Sequence, residues 1–105
     1  MRRGEVFAYT PPSAHGREQA GSRYGVIVHS DALLPRSVVI VAPTSTSAWP
    51  ASYRPEIVVR KETTRVLVEQ MRATDVGRLG RRVGHVTVEE QWEIDEALRA
   101  VLGLR

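Results

Sequence analysis

Arg23 and Thr44 are the residues whose types and placement most suggest chemistry. Arg23 closes the stretch Glu18-Gln19-Ala20-Gly21-Ser22-Arg23 just before the apolar run Val26-Ile27-Val28, so its backbone abuts a buried strand and its side chain can be pre-organised. A second apolar run, Val38-Val39-Ile40-Val41, ends in Ala42-Pro43-Thr44, and pairing the two runs in a sheet would lay the Thr44 hydroxyl beside Arg23. A guanidinium offers a planar fork of donors that grips phosphate through parallel bonds, and a hydroxyl beside it can orient the same group. Each residue has a plainer reading: Arg23 as a surface arginine, Thr44 as a strand-ending threonine. The rigid setting of the first, and the position of the second directly after Pro43, favour the chemical one.

Other chemistries find less support. Cysteine is absent, which removes disulfides, thiolate metal sites and a thiol nucleophile. His15, His29 and His85 are scattered and share no ligand spacing with the carboxylates, so neither a metal nor another cofactor is expected. Glu89-Glu90 and Asp95-Glu96 fall on a terminal helix, where charge runs usually form a solvated face. No glycine-rich phosphate loop of the Walker or dinucleotide type occurs. Ser45-Thr46-Ser47 reads as a flexible loop, because no general base stands near it in sequence. Gln70 and the two polar loops flanking Arg23 and Thr44 remain as candidates.

At 105 residues the chain suits one small domain with a single core, and 42% hydrophobic with 26% charged residues is an ordinary globular composition. Its apolar runs span only a few residues, far short of the ~20 that cross a bilayer. The start, Met1-Arg2-Arg3-Gly4-Glu5, lacks the apolar segment of a secretory signal, so a cytoplasmic protein is expected. The formal charge of +3 comes almost wholly from arginine, Lys61 being the only lysine, and favours a polyanionic partner as much as it reflects ordinary scatter.

The elements that must position Arg23 and Thr44 are mostly strands. Residues 5–9 read as a first strand stopped by Thr10-Pro11-Pro12, and residues 13–22 as an exposed loop. Residues 24–28 and 37–41 are continuous β-branched runs, the pattern of core strands buried on both faces. Residues 44–55 read as a Ser/Thr/Pro-rich loop, 56–59 and 65–71 as fourth and fifth strands, 74–79 as one helical turn, and 83–86 as a short closing strand. Thr87 with Glu90 forms a capping box for a final helix whose Ile94, Ala97, Leu98, Val101 and Leu102 face the sheet, with Trp92 at a rim and Gly103 ending it. Many short strands with turn signals between them predict a mainly β fold with a C-terminal helix: a small, partly open antiparallel barrel.

Several segments, in order along the chain, carry a family resemblance. Arg2-Arg3-Gly4-Glu5-Val6, Glu18 to Arg23 before a Val-rich strand, Val41-Ala42-Pro43-Thr44-Ser45, Val68-Glu69-Gln70-Met71-Arg72 and Asp95 to Leu104 together resemble the MazF/PemK family of toxin endoribonucleases. The resemblance covers essentially the whole chain. It implies an SH3-like barrel of the MazF/PemK/CcdB type, forming a homodimer that cuts single-stranded RNA at short motifs without a metal, and a partner antitoxin with an acidic, partly disordered tail. It makes Arg23 and Thr44 the catalytic pair, with the RNA 2′-hydroxyl as nucleophile and a cyclic phosphate and 5′-hydroxyl as products.

On that reading Arg23 stabilises the pentacoordinate phosphorane and Thr44 orients the scissile phosphate. Proton donation by Arg23 is the less suited role, since an arginine guanidinium is a poor proton donor. The loops 10–22 and 45–54 would choose the sequence, with Trp49 and Tyr53 as stacking residues. The remaining RNA contacts would be His15, Arg17, Glu18, Gln19, Ser45, Arg54 and Gln70. The chain departs from the family pattern at Tyr24, where proline usually follows the arginine, and at Phe7, where tryptophan is frequent. Two other functions fit the fold: a gyrase-poisoning toxin, whose Trp-containing C-terminal tail is missing from Leu102-Gly103-Leu104-Arg105, and a non-catalytic SH3-like binding module.

Overall fold

A computed structural model describes residues 1–10, 23–33 and 37–104. Seven strands form one curled antiparallel sheet: β1 (Glu5–Tyr9), β2 (Arg23–Ile27), β3 (Val38–Ser45), β4 (Glu56–Val59), β5 (Glu62–Val66), β6 (Arg72–Asp75) and β7 (Leu79–His85), followed by helix α1 (Val88–Leu102). Their order is β4-β5-β3-β2-β1-β7, with β6 also paired to β3.

The long β3 explains the curl. On one edge it pairs with β2; on the other its first half pairs with β6, from Val38↔Asp75 to Val41↔Arg72, and its last residues pair with β5, at Thr44↔Val66 and Ser45↔Arg65. Pro43 lies between these two partners, where its missing N–H costs no ladder bond, and its carbonyl accepts from Leu67 N–H at 2.8 Å. β3 therefore carries Thr44 and Ser45 as strand residues, where a loop beginning at Thr44 was expected.

The continuous runs of β2 and β3 are buried on both faces, as predicted. One face packs Val6, Val26, Ala42, Ile57, Val66 and Ile94 together; the other packs Phe7, Tyr9, Ile27, Val39 and Val41. Gly25 is required by this packing. A Cβ there would stand 2.5 Å from Val41 Cγ1 and 3.1 Å from the Tyr9 ring. Gly25→Ala is expected to cost about 1–3 kcal/mol by overpacking, read as a lowered midpoint in thermal denaturation. An unchanged midpoint would show that the strands part freely at this point.

The second half of the chain departs from expectation in four places. The fifth strand begins at Glu62 and ends at Val66, because Leu67 leaves the ladder and Val68–Gln70 form a 3₁₀ turn. β6 was not expected: Arg72-Ala73-Thr74-Asp75 has one buried residue, Thr74, and its pairing is carried by the β3 backbone rather than by apolar side chains. β7 is longer than residues 83–86, since Gly80, Arg81 and Arg82 lie on an exposed stretch that pairs with β1 through two irregularities of register. The helical turn expected over 74–79 is a 3₁₀ turn at Val76–Arg78, capped by the Asp75 carboxylate accepting from Gly77 N–H.

The β4–β5 hairpin turns through Arg60 and Lys61, both left-handed at φ 51° and 68°. Asn-Gly normally fills such a two-residue turn, because side chains other than Gly, Asn and Asp resist this conformation. Helix α1 is as predicted at its ends. Thr87 Oγ1 accepts from Glu90 N–H, Glu90 Oε1 accepts from Thr87 N–H, and Gly103 closes the helix at φ 70°. Glu90 Oε2 also accepts from Val58 N–H at 2.9 Å, so the cap clips the helix to the free edge of β4. Ile94 and Ala97 are buried, Leu98 and Val101 are half-buried, and Trp92 and Leu102 are exposed.

Candidate active site

The sheet brings the β2 start and the β3 end together. Register pairs Ala8↔Tyr24 and Gly25↔Pro43 place Thr44 opposite Tyr24, one step from Arg23. Thr44 is only 1% exposed; its Oγ1 accepts from Tyr24 N–H and donates to the Tyr24 carbonyl, both at 3.2 Å. The hydroxyl is thus aimed by the backbone of the residue next to Arg23. One of its two bonds, the accepted one, can persist while the O–H turns to a ligand.

Strand alternation starts Arg23 and Thr44 from opposite faces of the sheet. They nonetheless line one cleft, Arg23 from the first residue of β2 and Thr44 from the end of β3. This cleft, of about 370 Å³, is walled by Ala8, Arg23, Tyr24, Thr44, Thr46, Glu62 and Thr64. Arg23 also lines a smaller cleft of about 240 Å³ on the other side, with Tyr9, Thr10, Arg78 and Leu79. The buried Tyr9 hydroxyl has no hydrogen-bond partner among the described residues. The arrangement offers a cation and an oriented hydroxyl to one anion.

The family model of PemK-like, MazF-like toxins of type II toxin–antitoxin systems matches residues 2–102. The chain belongs to that family. It is 41% identical over 104 residues to a Mycobacterium tuberculosis protein described as a toxin, covering 97% of each. It is 33% identical over 116 residues to endoribonuclease MazF9 of Mycobacterium tuberculosis, covering 99% of this chain and 98% of that one. A solved endoribonuclease from a mycobacterial species, in complex with its cognate antitoxin, superposes with a TM-score of 0.80 at 21% identity, over 100% of this chain and 97% of that one. That likeness supports the barrel fold expected for a MazF/PemK chain.

Within this MazF/PemK domain the expected RNA contacts are placed unequally. His15, Arg17, Glu18 and Gln19 lie outside the described residues. Trp49 is 83% exposed and open for stacking, while Tyr53, 38% exposed, has Arg54 over its ring. Ser45, expected on a loop, is fully buried at the end of β3, and its hydroxyl accepts from Ser47 N–H. Gln70 sits in the 3₁₀ turn after β5 and lines neither of the two clefts above.

Arg54 takes a structural post. It pairs with Glu69 through Nε at 2.9 Å and Nη2 at 2.5 Å, donates to the Trp49 carbonyl, and stacks over the Tyr53 ring at 5.9 Å. The hydrogen bond to Glu69 raises the guanidinium above even its ordinary range. Arg54 therefore fastens the loop that displays Trp49 and Tyr53. Nothing in the sequence linked Arg54 to Glu69, fifteen positions away.

Sequence reasoning missed Thr46, Thr64 and Glu62 as cleft residues. The available signal was the alternation Glu62, Thr64, Val66, which puts all three on one face of β5 once the strand is started at Glu62. Among the described residues no group of three or more His, Asp or Glu could hold a metal ion, and no helix is long and apolar enough to cross a membrane.

Proposed function

We propose that this chain is the toxin of a type II toxin–antitoxin pair and cuts single-stranded RNA, with Arg23 and Thr44 as its catalytic pair. The observation that carries the reading is their shared cleft in a MazF/PemK domain. The substrate's own 2′-hydroxyl attacks the adjacent phosphorus and the bond to the 5′-oxygen breaks, leaving a cyclic phosphate on one fragment and a 5′-hydroxyl on the other. The proton lost by the 2′-hydroxyl is balanced by one gained at the departing oxygen. No enzyme nucleophile is needed, so the protein's task is to position the phosphate and stabilise charge. Arg23 faces the charge that builds on the non-bridging oxygens, and the Thr44 O–H turns from the Tyr24 carbonyl to a phosphate oxygen.

The endoribonuclease name of the 33%-identical relative supports the same reaction class. The antitoxin-bound neighbour supports a protein partner that silences the toxin, here one with an acidic segment that folds on binding. On this reading the toxin works in the cytoplasm as a homodimer.

Incubation with a long single-stranded RNA in EDTA, followed by end mapping, should give cuts at a short motif with cyclic phosphate and 5′-hydroxyl ends. A substrate with a single 2′-deoxy sugar at the cut should stay intact. Absence of cutting, or cutting of the 2′-deoxy substrate, would overturn the proposal.

A further inference from the structure

The larger cleft is chemically two-ended. Arg23, Tyr24 and Thr44 occupy one end, and the register of β5 on β3 sets Glu62 at the other, with Thr46 and Thr64 between. Glu62 lies four residues along β5 from Val66, the residue paired with Thr44. At ~3.4 Å per residue that is roughly 14 Å along the strand. A carboxylate so placed cannot reach the 2′-hydroxyl of the ribose beside a phosphate held at Thr44, and it repels any second phosphate. It can reach the far edge of the base attached to the nucleotide whose phosphate is held there.

We infer that this end of the cleft is a nucleobase pocket that selects guanine next to the scissile phosphate, with Glu62 as the residue that reads it. The inference rests on the RNA-cleaving reading above. A carboxylate accepts through two adjacent oxygens and donates nothing, so it fits an edge with two adjacent donors. Guanine alone has one, in N1–H and the 2-amino group. Adenine and cytosine set an acceptor beside their amino group, and uracil flanks its single N–H with two carbonyls. Thr46 and Thr64 hydroxyls both donate and accept, so they accommodate a base without choosing it. Tyr24, the residue at which the chain leaves the family's usual proline, supplies the surface against which an unstacked base can lie.

Two measurements test this. Cleavage ends mapped on a pool of random single-stranded RNA should show guanine beside the cut, and replacing it by inosine, which lacks the 2-amino group, should slow cutting about ten-fold. Glu62→Gln should erase the guanine preference while other sequences are still cut, and its thermal midpoint should match the wild type because the side chain is exposed. Binding of 2′-O-methyl oligonucleotides, which cannot be cut, should show the same guanine-over-inosine preference in the wild type and none in Glu62→Gln. Cutting whose motif lacks guanine beside the cut, or is unchanged in Glu62→Gln, overturns the pocket and leaves the nuclease reading standing. If no RNA is cut, that reading falls, and the uncleavable oligonucleotides still decide the pocket: equal binding of guanine and inosine strands overturns it.

Discussion

Arg23→Ala is expected to lower kcat/KM for RNA cleavage by about 10²–10³-fold, the usual loss when one donor aimed at transition-state charge is removed. Arg23→Lys should restore little of it, because an ammonium presents a point charge where the guanidinium presents a planar fork. Both variants should fold, since Arg23 is half-buried at the very start of β2 and belongs to neither core cluster. Thr44 needs a different comparison. Its hydroxyl bridges the Tyr24 backbone, so Thr44→Val removes a possible phosphate contact and the strand clasp together. Thr44→Ser keeps the hydroxyl and should retain activity far better than Thr44→Val. Single-turnover cleavage with saturating enzyme separates the chemical step from binding. Wild-type rates in Arg23→Ala would remove it from the reaction.

Ile94→Ala is expected to destabilise the domain by about 2–5 kcal/mol. Ile94 is fully buried in the cluster that joins α1 to the sheet, alongside Val6, Val26, Ala42, Ile57 and Val66. A small domain holds only about 5–15 kcal/mol in total, so the loss should lower the thermal midpoint by more than about 10 °C. Trp92→Ala on the same helix is the internal contrast: at 72% exposure in the isolated chain, it should change stability by less than about 0.5 kcal/mol. Equal effects of the two substitutions would mean that α1 does not pack as described.

What could be read from the sequence follows from where the information lies. β1 to β4 and α1 advertise themselves through apolar patterning and caps, and the pairing of Arg23's strand with Thr44's follows from two adjacent β-branched runs. β6 is held by backbone bonds to β3, so Arg72-Ala73-Thr74-Asp75 carries little apolar signal. The juxtaposition of Arg23 and Thr44 was legible because both residues border core strands. The remainder of the cleft was not, because Thr64 and Glu62 come to the same cleft only through the Thr44↔Val66 register, which joins β5 to β3, and Thr46 was read as part of a loop. The tie of Arg54 to Glu69 was hidden for a related reason: the two lie fifteen positions apart and meet only in the folded chain.

The β4–β5 hairpin has a consequence for how cutting and reading can vary separately. β5 is registered on β3 by only two residue pairs, and its turn is the unfavourable Arg60–Lys61. Because strand side chains alternate, a slip of β5 by a single position would exchange Glu62 and Thr64 for Thr63 and Arg65 along the cleft. An acidic wall would become a basic one, with Arg23 and Thr44 untouched on their own strands. One residue gained or lost at this turn would therefore act as a change of reading frame for the cleft, rewriting the charge of its wall while leaving Arg23 and Thr44 in place.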